Sequence, residues 1–283
     1  MVLAPGQFAE SKKIRSSVFV LAVTIKFINI SLILPSCYYY YMLKPKIIFE
    51  DNDILIINKP AGLVVNRSET VHKGTLQDWI DQRSKIKDLR SKIEEESDFY
   101  KRTGLVHRLD KDTSGVMVIA KTPQAFLSLV SQFKERKVEK RYLALVHGQI
   151  EPKIGNIRMP LARSPKDRKK FSVRLGGREA VTFYKRIKII HFPFGEVYSL
   201  LEIKPETGRT HQIRVHLAHI GYPIVGDPIY LSLKRLKKDR QWTWRLFLHA
   251  ENLSFYHPKT GEKLSFNVPL PKELKKIKIE KFS

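Results

Sequence analysis

From Lys46 onward the chain consists mostly of short strand-forming runs separated by tight turns, and this rhythm limits the possible architectures more than any other feature. Residues 142–146, 180–190, 198–204, 247–255 and 264–268 each read as a strand. Two earlier runs, 47–50 and 54–58, flank Asp51-Asn52-Asp53 and predict a hairpin. Short turns favour antiparallel pairing, and helical patterns are too few for a repeated strand–helix–strand fold. One helix is predicted over residues 75–93, with Thr75 and Asp78 as a capping box and Leu76, Trp79, Ile80 and Ile86 as its apolar face. Its charged far end should fray. A second opens at Thr122-Pro123, a cap followed by a first-turn proline, and should bury Ala125, Leu129 and Phe133. The expected class is α+β: a largely antiparallel mixed β-sheet with flanking helices and no internal repeat.

The net charge of +24 is the second constraint, because no fold requires it. With 283 residues and 42% hydrophobic content the chain can bury a real core, as one large domain or two small ones. An excess of this size serves a polyanion, nucleic acid first and an anionic membrane second; a solvated basic surface accounts for part of it. Arg163, Lys166, Arg168, Lys169, Lys170, Arg174 and Arg178 form one cluster, read as a phosphate-contacting loop. Lys234, Arg235, Lys237, Lys238, Arg240 and Arg245 form another around Trp242 and Trp244, whose rings suit packing under a loop at least as well as base stacking. Cys37 is the only cysteine, which excludes an internal disulfide and a cysteine-based zinc site. His211, His216 and His219 lack the spacing of a helical metal site, so no metal is expected and hydrogen bonding or phosphate contact is.

Asp110 is where chemistry first suggests itself. It stands in His107-Arg108-Leu109-Asp110-Lys111-Asp112-Thr113-Ser114-Gly115, on a turn between apolar runs at 104–106 and 116–120, both read as strands. Taken alone, it is equally a turn aspartate bonded to its own backbone. A second stretch, Thr207-Gly208-Arg209-Thr210-His211-Gln212-Ile213-Arg214-Val215-His216, supplies a partner. Gly208 predicts a turn and Thr210 a helix cap, with Ile213, Leu217 and Ile220 on one face. Arg214 lies beside that stripe, so its guanidinium should emerge at the core margin. There its planar fork can pair with a carboxylate through two hydrogen bonds, keeping Asp110 charged and oriented.

These residues resemble the RluA-type RNA pseudouridine synthases. Asn58-Lys59-Pro60-Ala61-Gly62 is similar to that family's first motif and residues 104–115 to its catalytic motif. Lys140-Arg141-Tyr142-Leu143-Ala144-Leu145-Val146-His147-Gly148 resembles its tyrosine block, and 208–216 continued by Gly221-Tyr222-Pro223-Ile224-Val225-Gly226-Asp227-Pro228 its third motif. The likeness spans about residues 44–271, and the second and third blocks are highly specific together.

The resemblance implies the pseudouridine synthase fold with a central RNA-binding cleft, and an isomerase that turns specific uridines into pseudouridine without cofactor or metal. It implies Asp110 as the essential carboxylate, Tyr142 stacking on the uracil and Arg214 pairing with Asp110. Arg108 would hold the opened RNA, Arg209 and His211 would be lesser RNA contacts, and Lys59, in a turn before Pro60 and Gly62, would have a structural role near the cleft or make a lesser RNA contact. Large-subunit ribosomal RNA is the expected partner, with transfer RNA second; the cytoplasm is the expected location and a monomer the default. A non-catalytic RNA-binding or ribosome-assembly protein would share the charge but would not need Asp110, Tyr142 and Arg214 together. Leu231 after Tyr230 and the surroundings of Trp242 depart from the family pattern.

Residues 1–43 stand apart. Lys12, Lys13 and Arg15 precede an apolar run at 18–34, then Pro35-Ser36-Cys37 and four tyrosines, a pattern similar to a signal peptide or anchor. Lys26 and Asn29 interrupt the run at a cost near a bilayer centre. An RNA enzyme needs no export, so Met42 is expected to be the true start, with a membrane tether through 18–34 the second reading. The catalytic domain is expected at 44–283, with no room before it for an S4-type RNA-binding module.

Overall fold

The computed structural model describes residues 44–83, 97–192 and 195–275. The expectations for residues 1–43, and for the helix beyond residue 83, lie outside them. No helix among the described residues is long and apolar enough to cross a membrane.

Strands β1 (Lys46–Glu50) and β2 (Ile54–Lys59) form the expected hairpin, and the Asp51 carboxylate closes its turn by accepting from the N–H groups of Asp53 and Ile54. Helix α1 (Leu76–Arg83) begins with the expected box: Asp78 accepts from Thr75 N–H at 2.9 Å, and Thr75 Oγ accepts from Asp78 N–H at 3.2 Å. A short α2 (Asp98–Lys101) precedes β3 (Ser114–Ala120). Helix α3 (Pro123–Lys134) follows, capped by Thr122 Oγ. Then come β4 (Glu139–His147), β5 (Ile154–Arg158), a small hairpin of β6 (Leu161–Arg163) and β7 (Phe171–Val173), β8 (Val181–His191) and β9 (Val197–Pro205). Helices α4 (Gln212–His219) and α5 (Leu233–Asp239), strands β10 (Leu248–Tyr256) and β11 (Lys263–Asn267), and α6 (Lys272–Lys275) complete the described chain.

The main sheet runs β1-β2-β3-β10-β4-β9-β8-β5, with β11 also on β10. Every pairing is antiparallel except β3 with β10, so the expected mixed, largely antiparallel α+β sheet is present. β3 is buried along its whole length, which fits its unbroken run Ser-Gly-Val-Met-Val-Ile-Ala. Two apolar clusters fill the core. One gathers β2 and β3 with α1 and α3; the other gathers β4, β9 and α4. Each fully buried Ile or Leu contributes roughly 1.5–3 kcal/mol, so these clusters fix the sheet order.

Several expectations need correction. Residues 104–106 are not a strand; Leu105 makes one isolated bridge to Ile119, because the chain turns over the sheet there instead of joining it. Thr210 does not cap α4. His211 occupies that position in the left-handed region, φ 56°, and the Gln212 side chain instead accepts from Arg209 N–H and from the Thr207 hydroxyl. The second basic cluster is not a loop: α5 runs through it, capped by Ser232. Arg245 is buried, Trp242 packs on Phe192 and Tyr198, and Trp244 is 62% exposed.

Candidate active site

Sheet register assembles the site. Gly115 of β3 and Tyr142 of β4 both lie opposite Ala250 of the intervening β10, and Tyr142 also faces Ile203 of β9. Neighbouring strands are about 4.8 Å apart, so the turn feeding β3 and the Tyr142 ring are about 10 Å apart across the sheet. At Gly115, φ is +127° and a Cβ would stand 2.2 Å from the Ala250 carbonyl oxygen. Only glycine lets β3 meet β10 directly after the Asp110 turn. β9 then ends, and its continuation through Thr207 and Arg209 delivers α4 to the same edge.

Asp110, Tyr142 and Arg214 line one cleft of about 560 Å³, together with Arg108, Arg209 and His211. The Asp110 carboxylate is 19% exposed, and Arg214 Nη1 lies 3.4 Å from its Oδ2. The predicted pairing is therefore present, but its geometry differs. The Arg214 fork is committed to Asp227: Nε donates to Oδ2 and Nη2 to Oδ1, each at 2.8 Å. Asp227 is fully buried and also accepts the N–H groups of Ile229 and Tyr230. Burial, which opposes the Arg214 charge, is outweighed by the bonds and charge of Asp227 and by Asp110, so the guanidinium is held above its ordinary value. Arg214 is a fixed cation that gives two donors to Asp227 and turns its remaining edge to Asp110. Asp227 stood in a block matched to the third motif, yet nothing local marked it as Arg214's main partner.

The Tyr142 side chain packs against both core clusters, at their seam. Burial, reinforced by the Asp110 charge, pushes its phenol above the usual range. His211 Nε2 lies 4.0 Å from Asp110 Oδ2; burial lowers its pKa, against the opposing pull of Asp110. The mouth is basic. Arg108 and Arg209 are exposed, and Lys140, unremarked in the sequence, is drawn down to about 8 by burial and by the nearby Arg136. His216 does the structural work expected of it, with Nδ1 2.9 Å from Thr182 Oγ1 and Nε2 donating to Met159 O at 3.0 Å.

The turn itself is gripped from below. Lys59 donates to the carbonyls of Pro60, Leu63 and Lys111 and is 0% exposed, with its pKa lowered to about 7 by burial. This corrects its assignment as an RNA contact, since an ammonium enclosed by three carbonyls offers no face to a phosphate. Arg245 Nη2 donates to Ser114 Oγ at 2.7 Å and reaches Asp112 O at 3.5 Å. The Ser114 hydroxyl in turn meets His249 Nδ1 at 2.8 Å. Two buried basic side chains thus fix the backbone that presents Asp110, and both were hidden among ordinary basic residues of the sequence.

Arg163, Lys166, Arg168, Lys169 and Lys170 lie on the β6–β7 hairpin and its loop, all but Lys170 exposed. Arg163 lies over the Phe171 ring at 5.6 Å. None of the five lines the cleft itself. A partly exposed carboxylate held by a fixed guanidinium can serve as nucleophile or base toward a group entering the cleft, and the basic rim suits a polyanion that brings it.

Comparison with known proteins shows which family shares this sequence and fold. The sequence pattern described as RNA pseudouridylate synthase matches residues 53–219. A protein of Aquifex aeolicus named as an uncharacterized RNA pseudouridine synthase is 44% identical over 235 residues, 82% of this chain and 71% of the relative. The ribosomal large subunit pseudouridine synthase D of Xanthomonas campestris is 41% identical over 239 residues, 82% of this chain and 67% of the relative. The solved structure of human RNA pseudouridylate synthase domain containing 1 superposes with a TM-score of 0.61 at 28% identity, covering 81% of this chain and 84% of that one.

Proposed function

The chain belongs to the RNA pseudouridylate synthase family, and from that premise we propose that it isomerises uridines of large-subunit ribosomal RNA with Asp110 as its catalytic carboxylate. As a member of this family it is an isomerase acting on RNA. The reaction breaks the bond between uracil N1 and ribose C1′, turns the base and rejoins it through C5, with no net gain of atoms or electrons. The target nucleotide leaves its stack at a cost of a few kcal/mol, which contacts to the rest of the RNA offset. Asp110 then acts at the sugar, while the Tyr142 ring offers a stacking face to the uracil. Arg214 keeps the carboxylate aimed, and Arg108, Arg209, His211 and the basic hairpin hold the flanking strand. We assign this work to residues 44–283 and to a monomer in the cytoplasm, where ribosomal RNA is modified.

One observation carries the proposal: Asp110 is a partly exposed carboxylate lining the cleft, 3.4 Å from an arginine anchored elsewhere. The ribosomal assignment draws on the name of the Xanthomonas relative. The purified protein, given transcripts of large-subunit ribosomal RNA and of transfer RNA, should form pseudouridine at discrete sites of the former. Modification confined to transfer RNA would overturn the substrate assignment.

A further inference from the structure

Tyr230 links the basic hairpin, His211 and Arg214. Its Oη lies 3.0 Å from Phe171 N, at the start of β7, and 2.9 Å from His211 Nδ1. Its ring lies beneath the Arg214 guanidinium at 5.2 Å. A backbone N–H can only donate, so Oη accepts from Phe171. Accepting from Phe171 leaves the phenolic hydrogen free to donate, and His211 Nδ1 is the acceptor within its reach among the described hydrogen bonds, so we assign that hydrogen to Nδ1. An imidazole that accepts at Nδ1 carries its proton on Nε2. That Nε2 is the atom 4.0 Å from Asp110 Oδ2, too far to be bonded to the carboxylate and near enough to meet whatever Asp110 meets.

The backbone of His211 supports the same conclusion. It holds φ 56°, a region that costs a non-glycine residue on the order of 1 kcal/mol and persists where surrounding contacts dictate it. Those contacts are the Tyr230 hydroxyl and the Phe171 and Tyr230 rings, which meet the imidazole edge-on at 5.9 and 5.7 Å. The strain turns the ring into the cleft, and the hydroxyl sets which nitrogen holds the proton.

We propose that Tyr230 is a positioning residue whose hydroxyl ties the basic hairpin to the active site and fixes His211 as the Nε2–H tautomer, which donates a hydrogen bond to the ribose of the target uridine beside Asp110. The proposal rests on Asp110 acting at that ribose, since the donor has a purpose only if the sugar enters there. It gives the hairpin a second task. The hairpin whose loop carries the basic residues also anchors the hydroxyl that sets the proton arrangement next to the carboxylate.

Imidazole nitrogen shifts of the free protein, read by NMR, should show His211 as a single Nε2–H form, and a mixture of tautomers in Tyr230→Phe. Single-turnover isomerisation at saturating RNA should slow about tenfold in His211→Ala, the effect of removing one hydrogen bond, and by a smaller factor in Tyr230→Phe, set by the share of the Nε2–H tautomer that is lost. The double variant should be no slower than His211→Ala, because both changes act through the same donor. His211→Gln, whose amide reaches about as far as Nε2, should recover most of the rate. An Nδ1–H tautomer in an active wild-type protein, rate effects that multiply in the double variant, or a glutamine variant as slow as alanine would each overturn the proposal. A wild-type protein that isomerises no RNA would instead overturn the functional reading on which it rests.

Discussion

The catalytic turn and the basic hairpin meet at one active site but are built in opposite ways. The turn leads into a strand with no exposed residue, and two buried basic side chains, Lys59 and Arg245, hold its carbonyls. The hairpin strands are short, most of its loop is exposed, and a small cluster around Leu161, Ala180 and Val215, a bridge from Leu161 to Arg178 and the Tyr230 hydroxyl anchor it. Breaking a glycosidic bond needs a carboxylate whose position does not depend on the substrate. Gripping a folded RNA needs charges free to follow phosphates. The difference shows that charge alone does not define the interface, since this chain places some of its cations inside the rigid half.

The largest effect that tests this contrast is on stability. Asp227→Asn leaves Arg214 buried without its bidentate partner, and should cost about 3–5 kcal/mol in denaturant unfolding, with isomerisation strongly reduced. Unchanged stability would show that the guanidinium can relax toward Asp110, and the rigid half would be less rigid than described. The hairpin should respond differently. Replacing Arg168, Lys169 and Lys170 by alanine should weaken RNA binding and leave the saturated rate and the melting curve intact. The slope of log affinity against log salt should fall by roughly one for each phosphate that these side chains neutralise. A fall in the saturated rate would mean that these charges reach into the chemistry.

A smaller effect concerns pH. Burial, followed by the charges of Lys140 and Arg102, holds His107 at about 3 against an ordinary 6.5, and its Nε2 accepts from Val118 N–H. Below 6.5 the unfolded chain takes up this proton while the folded one resists it until about 3. The linked stability is therefore intact above that window and falls as pH drops through it, by at most about 1.4 kcal/mol per pH unit. His107→Phe, which keeps a ring to stack on Phe133, should flatten that part of a pH–stability curve measured by denaturant unfolding.

What could be read from the sequence was local. The β1–β2 turn, the Thr75–Asp78 box and the Thr122-Pro123 start each place partners within a few residues, and all three took their expected form. Asp110 and Arg214 were legible because their motif contexts are distinctive, and they converge in one cleft. Long-range polar pairing was not legible. Arg214 and Asp227 meet only because the chain returns after α4, and Arg245 reaches Ser114 across 131 positions. Lys59 and Arg245 looked like their neighbours because a basic residue carries no mark of whether the fold will enclose it. The helix over Leu233–Asp239 was not legible because charge obscures its sparse apolar spacing, although Ser232 supplies its cap.

The most direct measurement places Asp110→Asn and the wild-type protein side by side on one modifiable RNA. Affinity and single-turnover isomerisation are recorded for the same samples. The change is nearly isosteric at a group 19% exposed, so folding and RNA affinity should stay close to wild type while pseudouridine formation falls at least about a thousandfold. Substantial isomerisation by the asparagine protein would contradict the account, because the reaction would then proceed without the carboxylate that the whole site is arranged to present.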